Sequence, residues 1–234
     1  MASLILRKTP QNWYEDHLKF TLELVESFIN STEKQILISI QEFINTKETI
    51  DYDEDDELNT IQTVEMHNGL DSLTWDIDTI FKEHFPNLQR RSAFITLFGF
   101  LEYELDQLCI LFEKNENYKV QLKDFKDSGI ERSMSYLEKV ANLGDIKVNN
   151  NTWDEIKSIK LIRNTVVHND GKLVSSDGKS RTAELIYIKK CIFLEGDNEI
   201  ILKDGFLIHV LRIFEQLFIK LDNLIKDKYK NGSN

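Results

Sequence analysis

A chain of 234 residues, 41% of them hydrophobic, is long enough for one domain with an ordinary core, or for one domain with a helical extension. Its net charge of −11 argues against broad, sequence-blind binding of nucleic acid. No apolar run approaches the ~20 residues of a membrane span and no signal peptide is visible, so a cytoplasmic protein that makes no use of a membrane is expected.

Only two prolines and nine glycines interrupt the chain, which favours long helices. Residues 12–48 place Leu18, Leu22, Val25, Ile29, Ile36, Ile40 and Phe43 at helical spacings. Asn30-Ser31-Thr32-Glu33 has the form of a capping box that would divide this stretch into two helices. With no glycine or proline inside it, one long helix is the preferred reading. Six acids then fall within residues 51–57, and their mutual repulsion predicts a solvated loop. Residues 58–83 read as a second, weakly patterned helix anchored by Trp75, Ile77 and Phe81. These first 85 residues are expected to form a helical arm, and residues 86–234 a helical bundle.

The strongest helix spans 87–114. Phe94, Leu97, Phe98, Leu101, Leu105, Leu108 and Phe112 fall within about 100° of arc, so this helix must form a wall of the core. Arg91, Glu102 and Cys109 lie on one flank of that face. Glu102 reads either as a boundary carboxylate paired with an arginine or as a support for functional residues elsewhere. A helix over roughly 129–142 follows. Another begins near Thr152 and buries Ile159, Ile162 and Val166. Residues 185–202 switch to a strand pattern around Gly196-Asp197-Asn198, which predicts a hairpin. The last helix, 206–228, carries a second clean apolar stripe. The expected fold class is therefore mainly α, a helical bundle with a small β-hairpin inserted before the last helix and a long N-terminal helical arm. Cys109 and Cys191, far apart among apolar residues, read as buried, reduced thiols.

The chemistry concentrates in residues 160–171, Lys-Leu-Ile-Arg-Asn-Thr-Val-Val-His-Asn-Asp-Gly. A fixed cation, Arg163, an amide, Asn164, and an imidazole, His168, stand within six residues just before a helix stop at Gly171. An imidazole can move a proton near neutral pH, and a guanidinium can hold a phosphate bidentately. The stretch from Lys157 to Lys190 also holds eight basic residues against three acidic ones, a local balance of +5 in an acidic chain. Lys157, Lys160, Asn164 and His168 fall within ~80° on the polar side of the helix. Arg163 lies about 140° round from His168 in ideal helix geometry. Either the helix loosens at Val167-His168, or the two residues act from different sides. No Gly-rich phosphate loop, paired-cysteine zinc site, His-Glu-x-x-His or nucleophile elbow occurs, so neither metal nor cofactor is expected.

The run Arg163-Asn164-Thr165-Val166-Val167-His168 resembles the signature of the HEPN superfamily: arginine, a polar residue, further residues, then histidine. The helical order of residues 87–228 resembles its bundle. The resemblance implies a metal-independent endoribonuclease that leaves 2′,3′-cyclic phosphate ends, with Arg163, His168 and Asn164 catalytic and Glu102 and Arg91 in support. It also implies RNA bound by Lys157, Lys160 and Lys172, a homodimer with a shared active site, and the setting of toxins or antiviral defence effectors, with an inhibitory protein as a possible partner. The alternative from the residues themselves is a non-catalytic helical module that binds a protein partner or a nucleotide. In it, Arg163 pairs with a carboxylate and His168 caps a helix end.

Overall fold

A computed structural model describes residues 9–55, 60–147, 151–174, 178 and 180–231. The protein is mainly helical, with small antiparallel sheets and a two-stranded hairpin before the last helix. A 3₁₀ turn at Pro10–Asn12, held by the Thr9 amide donating to Asn12 Oδ1 at 2.8 Å, leads through one π-helical segment into α1, Lys19–Thr46. The helix runs unbroken past Asn30-Ser31-Thr32-Glu33. Of the predicted stripe it buries Leu22, Ile29, Ile36 and Phe43 and half-buries Val25 and Ile40.

The next stretch departs from expectation. Glu48–Asp55 is strand β1, and Thr60–His67 is strand β2, paired antiparallel with it; β3, Leu70–Asp71, completes a three-stranded meander. The expected helix at 58–83 is thus confined to its C-terminal end, α2 (Ile77–Thr79) and a π-helical turn, Ile80–His84. The physical reason is local. Thr60, Ile61, Thr63 and Val64 are β-branched and favour extended backbone. Asn68 and Gly69, with φ of 48° and 80°, make the two-residue turn that suits a twisted hairpin. The acid run expected as a loop is strand up to Asp55, with a bulge between Asp51 and Asp53; residues 56 and 57 lie outside the described residues. Phe43 stacks on Phe81 with ring centres 4.9 Å apart, and His67 meets both rings edge-on, which fastens the meander to the end of α1.

Helix α3, Phe85–Glu116, is the centre of the bundle, and all seven residues of its predicted stripe are buried. α4 (Gly129–Lys139), α5 (Asn151–Asn169) and α7 (Phe206–Asn231) pack around it. α7 covers the core with Phe206, Leu211, Phe214 and Phe218. At roughly 1.5–3 kcal/mol for each large side chain removed from water, these two stripes dominate the driving force. The core does not stop near residue 85: Trp13, Leu18, Leu22 and Ile29 belong to the same cluster as the bundle's interior. A largely buried ion pair, with Arg90 Nη2 2.8 Å from Glu33, locks α1 to α3.

Between α5 and α7 the expectation of strand from 185 onward is corrected in part. Residues Thr182–Lys190 are a helix, α6, and only Leu194–Glu195 (β4) and Ile201–Leu202 (β5) pair as the hairpin. Buried Glu184, Tyr187 and Ile188 fall at helical spacing, and Glu184 accepts a hydrogen bond from Thr165 Oγ1 at 2.9 Å. Both cysteines are buried and free. No helix among the described residues is long and apolar enough to cross a membrane.

Candidate functional site

Three elements position the motif. α5 packs its apolar face, Ile159, Ile162 and Val166, on the core. Its helix continues through Asn169 and stops there, with Asp170 and Gly171 both left-handed at φ of 50° and 71°. It therefore does not loosen at Val167-His168. Arg163 and His168 of one chain emerge about 140° apart.

Arg163 turns toward α3. Its Nη2 lies 3.4 Å from Glu102 Oε2, its Nη1 donates to Asn164 Oδ1 at 3.0 Å, and its guanidinium sits 5.3 Å from the Phe98 ring centre. Glu102 also lies against the start of α4, where a Cβ added at Gly129 would come within 2.8 Å of Oε1. The carboxylate is therefore held between a guanidinium and the positive end of a helix. About a quarter of the Arg163 side chain stays exposed.

His168 is exposed, and among the described residues its ring has no hydrogen-bond or ion-pair partner. Asn164, one turn earlier on the same face, links its stripe to Arg163. Leu161 and Val167 flank that stripe and are also exposed. The three lysines expected at RNA behave differently from one another. Lys157 is paired with Asp154 at 2.6 Å and Lys160 with Glu131 of α4 at 3.8 Å, while Lys172 is exposed at a backbone bridge to Glu199. Only Lys157 and Lys160 share the motif helix. Lys172 lies beyond the end of α5, Arg181 at the start of α6, and Lys189 and Lys190 in its last turn.

Arg91 is placed away from Arg163. It is buried, donates from Nη2 to Glu199 Oε1 at 2.6 Å and to the Ile200 carbonyl at 2.7 Å, and reaches the Asp170 carbonyl from Nη1 at 3.2 Å. It pins the segment that closes α5 to the hairpin. A Cβ at Gly171 would fall 2.3 Å from its Nη2, so glycine is required there by both backbone angle and space. Arg91→Ala removes donors from the Ile200 and Asp170 carbonyls and leaves Glu199 without its cation. We expect it to lower unfolding free energy by about 3 kcal/mol in urea titrations, mostly by loosening residues 169–174 and the hairpin.

A second group of polar residues was not signalled by sequence. Glu155 of α5, Tyr187 of α6, Cys191 and His209 of α7 meet around one cleft. Glu155, Tyr187 and His209 come from separate elements with no local spacing in common, and His209 reads in sequence only as a neighbour of the α7 core stripe. Among the described residues no three His, Cys, Asp or Glu side chains converge as a metal site. No family model, curated protein or solved structure matches the chain.

Proposed function

We propose that the protein is a metal-independent endoribonuclease of HEPN type, and that its active site is shared between two copies. The observation that carries this reading is the unbroken helix through His168. Held about 140° apart on one rigid helix, Arg163 and His168 of one chain do not converge on one phosphate. Two α5 helices facing each other across a groove bring Arg163 of one copy beside His168 of the other. His168 is presented for such a role, exposed and without a partner among the described residues, and Asn164 ties its stripe to Arg163.

In this mechanism His168 takes the proton of a ribose 2′-hydroxyl as O2′ attacks phosphorus. The P–O5′ bond breaks, the 5′ oxygen leaves with a proton from solvent, and a 2′,3′-cyclic phosphate remains. Arg163 donates N–H groups to the crowded phosphorane oxygens, where charge builds in the transition state. Glu102 is a positioning residue. It fixes the guanidinium from behind, as does the Phe98 ring.

Unpaired apolar surface supports association. Phe20, Leu24 and Phe28 stand exposed in a row on α1, and Leu161 and Val167 beside the motif. A symmetric homodimer is the expected assembly. Light scattering at micromolar concentration should give twice the chain mass of 27.5 kDa. A strict monomer would remove the shared site.

A further inference from the structure

The cleft between α5, α6 and α7, about 520 Å³ in volume, has the character of a binding site and plays no part in the mechanism above. Glu155 forms its polar floor. Its Oε1 accepts from the Tyr187 hydroxyl at 2.6 Å and faces His209 Nε2 at 3.4 Å. Among the described residues Oε2 has no partner, although a carboxylate can accept at both oxygens. The Phe193 ring lies 5.4 Å from the His209 ring and walls one side. Ile186 and Ile192 line the rim and are 52% and 77% exposed, which makes Ile192 the most exposed large apolar residue described.

Glu155 places a carboxylate at the floor of the cleft. Tyr187 is pushed above its ordinary range by burial first, then by its hydrogen bond to Glu155 and by that carboxylate's charge. Burial, with the same charge adding to it, raises the Cys191 thiol, which suits a neutral wall rather than a nucleophile. Asp154, already paired with Lys157 at 2.6 Å, and Lys190 also line the cleft, so Glu155 is the carboxylate left for a ligand.

We propose that this cleft binds a small organic ammonium with an apolar body: the charged nitrogen donates to Glu155 Oε2 against the Tyr187 and Phe193 rings, and the body lies on Ile186 and Ile192. The site is separate from the RNA reading. Glu155 lies about 140° round α5 from His168 and roughly 20 Å along its axis, so either proposal can fail without the other.

The test uses the full chain and isothermal titration calorimetry with 2-phenylethylamine, 2-phenylethanol and guanosine 5′-monophosphate. The amine should bind at least about 10-fold more tightly than the alcohol, the difference expected for a charge-assisted hydrogen bond. Glu155→Gln should remove that preference, and Lys190→Gln should strengthen amine binding by removing a like charge. Ile192→Ser, at a position that holds no packing in the core, should weaken amine and alcohol alike, which keeps the test valid if Glu155→Gln fails to fold. Equal affinity for amine and alcohol, preference for the nucleotide, no binding of the amine, or an amine affinity unmoved by Glu155→Gln or by Ile192→Ser would overturn the proposal.

Discussion

His168→Ala should cut RNA cleavage by ~10²–10⁴-fold, the range general acid–base assistance supplies. The fold should be untouched. The ring is exposed and has no partner among the described residues, so its loss removes at most a helix-end charge interaction, about 1 kcal/mol or less. The readout is initial cleavage rate at fixed protein concentration, beside a thermal unfolding curve. A variant that cleaves at the wild-type rate would take His168 out of the chemistry.

Arg163→Ala should be comparably severe, because the phosphorane loses its fixed donors. Arg163→Lys should rescue only in part: an ammonium can reach Glu102 or a phosphate, but it cannot hold both Asn164 and Glu102 with one planar fork as the guanidinium does. The shared site makes a sharper demand. Mixed and allowed to exchange, Arg163→Ala and His168→Ala chains form dimers in which one composite site is intact and the other doubly defective. Half the dimers are mixed at random exchange, so about a quarter of wild-type activity should return. Two inactive variants that stay inactive after verified exchange would place both residues in the service of one chain's site, or of none.

The fold was legible where one period ran long enough to exclude alternatives. The stripes of α3 and α7 repeat over many turns and read only as helix, and their residues are the core. Short segments were not decided by periodicity. Over nine residues, Thr182–Lys190 is too brief to separate a buried helix from a strand, and its contact with Thr165 settled the matter through a partner distant in sequence. The meander was legible in principle. Asn68-Gly69 is a strong hairpin turn signal, but the apolar anchors Trp75, Ile77 and Phe81 suggested helix, and the acids before it suggested loop. Trp75 is in fact half exposed.

The site divides along similar lines. Glu102 could be placed near an arginine because an acid at the edge of an apolar face needs a partner, and Arg163 is the one it meets. Arg91 shares its flank but serves the end of α5 instead, since it stands three turns, roughly 16 Å, before Glu102 along α3. The Glu155, Tyr187 and His209 cluster depends wholly on how α5, α6 and α7 cross, and no spacing along the chain encodes it.

The most direct measurement is incubation of the purified chain with mixed RNA in excess EDTA, followed by analysis of the new ends. The account predicts cleavage that persists in EDTA, leaves 2′,3′-cyclic phosphate and 5′-hydroxyl ends, and is lost in His168→Ala. Cleavage abolished by EDTA and indifferent to His168→Ala, or no cleavage by a verified dimer, would contradict it, and the latter would leave Arg163 and Glu102 as the ion pair of a binding module.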